Sequence, residues 1–321
     1  HHDAARTCRR PPEEYALNAH TPPARKDHID ALGASLLIGF SALMGCNQVI
    51  MKLVNQGMNP VFQAGLRSVV AAVPVLLFVW WRGARVPLRG GVLIPGIVTG
   101  LFFALEFLLI FKALDFTSVT RSSVLFYTMP IWVAFGAHFL IPGERLTHRR
   151  MGGLVLACIG VAVALAHNAR PASDLAFIGD LMAIGAAVCW ASIALITRVS
   201  EFSRAAAPVQ LLYQLAVSAP VLLVLSPLFG PTFREMTPAL WGIFSIQAIG
   251  VVAIGYMVWF WVLSIYPASD MSSFAFLTPL FGVTFGWLIL GEPLTANIVA
   301  ALALVGIGIW LVNRKPKSGP G

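Results

Sequence analysis

Arg67 and Glu106 are the two side chains whose placement most directly implies chemistry. Each lies inside a long apolar run, Arg67 in VFQAGLRSVVAAVPVLLFVWW and Glu106 in LIPGIVTGLFFALEFLLIF. A charge at the centre of a spanning helix costs about 2.5 to 3.5 kcal/mol on the insertion scale, so such residues pair or serve a function. Counted from the same end of their segments, Arg67 is about seven residues deep and Glu106 about six, or roughly 10 Å at 1.5 Å per residue. The matching depths predict an Arg67 to Glu106 ion pair, with Lys52 as a rival partner. Such a pair either fixes two helices together or acts as a gate or coupling site.

Two prolines give the next signal. Pro130 and Pro279 interrupt apolar helices, and each removes a backbone donor and frees carbonyls one turn back, near Phe126 and Ala275. In a bilayer those groups must be met by protein or by water in a cavity. Broken helices near the midplane are where carriers place solute. Tyr127, Thr128, Phe276 and Thr278 are therefore candidate cavity positions, with Ser122, Ser123, Ser272 and Ser273 nearer the two mouths. Other polar or aromatic groups deep in apolar segments join that list: Asn47, Glu106, Trp190, Tyr213, Gln214, Gln247 and Tyr256. The cavity they predict is mostly neutral and lined by aromatic and small hydroxyl side chains.

Other chemistries find no support. Cys8, Cys46, Cys158 and Cys189 lack metal-ligand spacing, His138, His148 and His167 are scattered, and no Ser/His/Asp arrangement or phosphate loop is evident. No cofactor, metal or enzymatic activity is expected.

The elements that hold these residues follow from composition. Of 321 residues, 58% are hydrophobic and 11% charged, and the mean hydropathy is +0.79. These values describe a membrane protein whose partners are the lipid bilayer and a small solute. Apolar runs long enough to span fall near 32 to 51, 61 to 82, 91 to 112, 118 to 141, 147 to 167, 176 to 197, 207 to 229, 239 to 265, 269 to 290 and 294 to 312. The fold class is therefore all-α integral membrane, with ten transmembrane helices. Residues 1–30 read as a disordered cytoplasmic tail without a signal-peptide core, and residues 314–321 as a basic tail.

The chain also repeats itself. FTSVTRSSVLFYTMPIWVAFGAHFLIPGERLTHRRMGGLVLACIGVAVAL, from Phe116, is answered from Pro267 by PASDMSSFAFLTPLFGVTFGWLILGEPLTANIVAALALVGIGIWLV. Both copies run from a small, Ser-rich opening through a proline-broken helix to Gly-Glu-x-Leu-Thr and a Gly-rich helix. Residues 31–170 and 171–313 are thus two five-helix units. Glu144 and Glu292 of the repeated motif read as caps at the start of the helix that follows. An odd number of spans inverts the second unit, and charge agrees. With the N-terminus cytoplasmic, sixteen of the 22 Lys and Arg residues fall inside and five outside (Lys52, Lys112, Arg121, Arg170 and Arg234). This distribution also accounts for the net charge of +8 without a nucleic-acid partner. Gly96, Gly100 and Ala104, and likewise Gly282 and Gly286, are small residues at helical spacing that predict close helix contacts. Trp80, Trp81, Trp259, Trp261 and Trp310 read as an interfacial belt.

The paired proline, Gly-Glu-x-Leu-Thr and Gly-rich helix signatures, with Leu66-Arg67 and the two-unit plan, resemble the EamA-type drug/metabolite transporter superfamily over nearly all of residues 31–313. The resemblance implies an inverted-repeat carrier of the cytoplasmic membrane, often an exporter of amino acids or related metabolites. It further implies a central cavity among helices of both units, with the fifth and tenth helices peripheral. The extra residue between Pro130 and Gly143, and Arg145 in place of the proline at Pro293, depart from the pattern within the first copy. The leading expectation is a secondary transporter of a small metabolite working by alternating access. A channel, a receptor or a membrane enzyme without a recognisable motif stands as the alternative. Substrate, direction, coupling ion and oligomeric state are left open.

Overall fold

The computed structural model describes residues 30–142, 147–166, 174–266, 274 and 277–313. Glu144, Arg170, Ser272, Ser273, Ala275, Phe276 and the two tails lie outside the described residues. The described chain is helical, without strands beyond one isolated bridge between Met58 and Phe233. Its helices are α1 (Ala31–Asn55), α2 (Pro60–Trp81), α3 (Leu93–Phe116), α4 (Val119–Phe126), α5 (Met129–Leu140), α6 (His148–Ala166) and α7 (Asp174–Val199). They continue as α8 (Ala207–Leu225), α9 (Pro238–Ser245), a π-helical stretch (Ile246–Gly255), α10 (Tyr256–Ile265), α11 (Leu277–Leu290) and α12 (Ala296–Asn313). Among the described residues, eight helical runs are long and apolar enough to cross a membrane, and Leu277–Leu290 and Ala296–Val312 are apolar but shorter.

Helix starts follow from local sequence. Asp30 accepts from Gly33 N at 2.8 Å to cap α1. Asn59 accepts from Val61 N at 2.9 Å to cap α2, with Pro60 in the first turn, where its missing N–H is not needed. The threonine of each Gly-Glu-x-Leu-Thr motif does the same work. Thr147 accepts from Arg150 N and Thr295 from Ile298 N, both at 3.4 Å, at the starts of α6 and α12.

Glu292 does something else, which corrects, for the second copy, the expectation of a cap on its own following helix. Gly291, at φ +66°, ends α11 in a left-handed turn that a side chain with a Cβ adopts only at a cost. The turn aims Glu292 back at the first turn of α4, in the other half of the chain. Its carboxylate accepts from Val119 N and Thr120 N, each at 2.8 Å, and from the Thr120 hydroxyl. Gly286 makes the approach feasible, since a Cβ there would lie 2.9 Å from Glu292 Oε2. Lys52 completes the junction rather than reaching for solvent, donating to Thr117 O at 2.8 Å and to Glu292 at 3.3 Å. The free amides at a helix start and the helix dipole both favour an anion there.

At the same end of the helices, each described cation of the set expected outside faces a carboxylate. Lys52 meets Glu292, Lys112 meets Asp115 at 3.2 Å, Arg121 meets the fully buried Asp180 at 2.5 Å, and Arg234 meets Asp115 at 2.8 Å. The resulting network ties α1, α3, α4, α7 and α11 together.

Close packing uses the small residues. α3 runs along α7 and α8, α2 crosses α8, α1 lies against α11, and α6 pairs with α12. A Cβ at Gly96 would meet the Tyr213 ring at 2.8 Å, one at Gly100 would meet Val217 at 2.5 Å, and one at Gly282 would fall against Ser123. At the α6–α12 pair, a Cβ on Gly308 would sit 2.7 Å from Gly153 O, a backbone atom that cannot swing aside. Gly306, two residues earlier, faces open space. Trp80, Trp81, Trp261 and Trp310 are exposed at the apolar surface, as a lipid-facing belt requires.

Two outcomes follow for stability in detergent. Glu292→Gln should cost about 2 to 3 kcal/mol in denaturant unfolding, because a charge-assisted acceptor of four donors is lost, whereas Lys52→Met, at a partly exposed site, should cost less. Gly308→Ala should destabilise by about 1 to 3 kcal/mol through overpacking against backbone, while Gly306→Ala should be neutral or stabilising by up to about 1 kcal/mol.

Candidate functional site

The break in the fourth span is where the site begins. Pro130 falls at the second position of α5, and between α4 and α5 the helical bonding tightens: Thr128 N reaches back only to Leu125 O, at 3.3 Å, and Ile131 N to Thr128 O, at 2.8 Å. The Thr128 hydroxyl also donates to Leu125 O, at 2.6 Å, and accepts from Trp132 Nε1 at 3.2 Å. Thr128 is therefore the residue that satisfies the break, and its side chain is spent on it. Tyr127 and Pro130 border a partly open hollow of about 390 Å³.

Seven other elements line that hollow. α1 contributes Phe40, Ser41, Met44, Asn47, Gln48 and Met51, one continuous helical face at three- and four-residue spacing. α2 brings Arg67, α3 brings Glu106, Phe107 and Ile110, and α7 brings Trp190. The π-helical stretch adds Val251 and Val252, α10 adds Tyr256 and Trp259, and Thr278 at the start of α11 and the nearby Phe274 complete the wall. A π-helical turn widens the helix, and such turns recur at functional sites.

Of the residues singled out from sequence, Asn47, Arg67, Glu106, Tyr127, Pro130, Trp190, Tyr256 and Thr278 border the cavity. Thr128, Tyr213, Gln214, Gln247 and Pro279 do not. Tyr213 serves packing, with its hydroxyl on Pro87 O and its ring edge-on to Phe202 at 5.7 Å. Gln247 is buried one layer behind the wall, accepting from Gln63 Nε2 at 3.1 Å and donating to Asn47 Oδ1 at 3.3 Å, so it orients a lining residue. Gln63 was not among the sequence candidates. Neither was Trp259, whose ring stacks on Phe40 at 4.8 Å instead of joining the interfacial belt. Its place at a helix end gave no hint of that.

The electrostatics overturn two expectations. Arg67 and Glu106 are both 2% exposed and both line the cavity, yet they form no direct ion pair. The guanidinium instead lies over the Phe107 ring, 3.8 Å from its centroid, with Phe111 at 5.2 Å. Arg67 Nε and Nη2 and Glu106 Oε2 are buried without hydrogen-bond partners. Lys52 is not the rival partner either, being engaged with Thr117 and Glu292. The lining is thus balanced in charge but not neutral in character. Gln48 adds a third unmet group: its Oε1 accepts from the Ser123 hydroxyl at 3.0 Å, but its Nε2 is buried and unpartnered. Buried polar groups without partners are rare, and three such residues border this one hollow.

Comparison with known proteins agrees with this geometry. A Bacillus subtilis protein named "Uncharacterized transporter YoaV" is 28% identical over 280 residues, covering 86% of this chain and 94% of its own length. A Salmonella typhimurium protein named "Probable amino-acid metabolite efflux pump" is 28% identical over 292 residues, covering 85% of this chain and 93% of its own. An Escherichia coli protein of the same name is 26% identical over 302 residues, covering 90% and 95%. One solved crystal structure superposes with a TM-score of 0.62 at 19% identity, over 88% of this chain and 98% of the other, a likeness of fold. The model of the EamA-like transporter family matches residues 31–166 and again residues 177–314. A helical membrane protein with a central solute-sized hollow and these matches has one placement: the chain belongs to the EamA-like transporter family and is a multi-pass membrane transporter.

Proposed function

We propose that this protein is a secondary carrier that exports an amino acid or a related small metabolite across the cytoplasmic membrane by alternating access. The observation that carries this reading is the partly open cavity beside the break at Tyr127 and Thr128, walled by helices from both halves of the chain and edged by unpartnered polar groups. The amino-acid metabolite named for the Salmonella and Escherichia coli relatives suggests the class of cargo.

Ten spans in two inverted units, 31–170 and 171–313, are part of the proposal. Matched contacts support them. A Cβ at Gly33 would meet the Tyr266 ring at 2.7 Å, and a Cβ at its counterpart Gly179 would meet Phe116 at 2.9 Å. Gly160 abuts Val305 and Ala301, just as its counterpart Gly308 abuts Ala157 and Gly153. Such pairs are what a two-fold axis in the membrane plane produces, and the family model matching twice points the same way. Two units of one design can exchange conformations and so expose the cavity to each side in turn. The Glu292, Lys52 and α4 junction would close the outer end here, and the partly exposed Phe40, Trp259 and Phe274 mark the inner mouth. Both termini are cytoplasmic in this reading.

Counterflow of labelled solute in proteoliposomes tests transport. A carrier gives accelerated exchange, a channel only dissipation, and an enzyme a new product. Orientation is tested separately with native cysteines replaced: a reporter cysteine at Glu235 should react with an impermeant maleimide in intact cells, and one at Arg204 only after permeabilisation. Reversed labelling would invert the topology, and dissipation of the label without counterflow would end the carrier reading.

A further inference from the structure

We infer that the cavity takes a zwitterion with a bulky apolar body, an α-amino acid with an aromatic or large aliphatic side chain or a close derivative, its carboxylate on Arg67 and its ammonium on Glu106. This rests on the carrier reading and adds the chemistry of the cargo.

The two charges are held apart by construction. Phe103, Phe107 and Phe111 form a file of edge-to-face rings along α3, at 4.5 and 5.8 Å, and the Arg67 guanidinium lies on its face. The ring face stabilises the cation but supplies no strong acceptor for its N–H groups. Arg67 Nε and Nη2 and Glu106 Oε2 therefore remain unmet, although both side chains are almost fully buried. A buried charge without a partner is costly, and both charges border the same hollow. An anionic solute would answer Arg67 and leave Glu106 unmatched, a cation would do the reverse, and an uncharged solute would answer neither. A zwitterion meets both, and the free Nε2 of Gln48 offers a further donor to its carboxylate.

The rest of the wall sets the remainder of the molecule. The stacked Phe40 and Trp259, with Phe126, Tyr127 and Trp190, give an aromatic lining. A polar side chain on the cargo would lose its water wherever it lay against these rings, which accept few hydrogen bonds in return. The volume of about 390 Å³ lies near the small end of solute pockets, roughly 300 to 1,000 Å³. It suits a single amino acid rather than a peptide or a nucleotide.

The test uses the purified full chain, by thermal stabilisation in detergent and by competition with labelled phenylalanine in proteoliposome counterflow. The probes are phenylalanine, tryptophan, phenylalanine amide without the carboxylate, 3-phenylpropionate without the amine, and serine. The aromatic amino acids should bind and exchange, with each single-charge analogue and serine weaker by about tenfold or more. Glu106→Gln should lift the discrimination against 3-phenylpropionate, and Arg67→Gln that against the amide. A purely structural role would not move these preferences. Arg67→Lys, which keeps the charge, serves where the glutamine variant does not fold, and the wild-type analogue series needs no variant. Equal binding of the single-charge analogues, or equal exchange of serine, overturns the inference and leaves a carrier of another cargo. Absence of binding and exchange for every probe also overturns it, and counterflow with a wider metabolite panel then judges the carrier reading by itself.

Discussion

Hydrocarbon offers no hydrogen bonds, and every feature of this protein is arranged around that. A span that breaks must satisfy its own loose ends. The fourth span does so twice over, with Thr128 folded back onto Leu125 at the break and a carboxylate from the far half of the chain at its start. Glu292 is thereby a structural element as much as any helix. It joins α11 to α4 through backbone amides, and Lys52 brings α1 to the same point. Three helices meet where a bilayer would otherwise leave bare N–H groups.

Once the backbone is satisfied, the remaining polar side chains divide by what they face. Gln63, Gln247 and Asn47 form a chain that begins in the packed interior and ends at the cavity. Asn55 donates to Phe111 O at 2.9 Å, bridging α1 and α3 next to the rings that hold Arg67. These contacts fix the wall. Arg67, Glu106 and Gln48 keep unused capacity at the cavity itself, while Gln63 Oε1 and Asn55 Oδ1 keep some behind it. The cost of keeping the first three desolvated is offset, in this view, only when cargo is present.

Much of the architecture was legible in the chain itself. Apolar runs gave the helices to within a few residues, because a bilayer demands both length and apolarity. The proline at 130 located the break, because a missing donor has the same consequence in any surroundings. The small residues at 96, 100, 282 and 286 announced close contact. Less could be read where partners were remote in sequence. Glu292 looked like a cap for the nearest helix, yet the amides that donate to it lie 172 and 173 residues away. The π-helical stretch at Ile246–Gly255 left no clear mark, since glycines and aliphatic residues suit several helical forms. The face of α1 that lines the cavity was likewise hidden. Phe40, Met44, Gln48 and Met51 have the right spacing, but a helix that is apolar all round does not say which side is inward.

The charged pair shows where the division falls. Sequence alone placed Arg67 and Glu106 at similar distances from the ends of their apolar segments, since distance along a helix is a count of residues. It also established the helical class, the internal repetition and the family resemblance, all properties of composition and order along one dimension. Only the folded chain decided that the two side chains face one cavity without touching, because that depends on the rotation of α2 against α3 and on the rings of Phe107 and Phe111 standing beneath the guanidinium. Rotations and crossings are set by packing among all the helices at once, and no local run of residues encodes them.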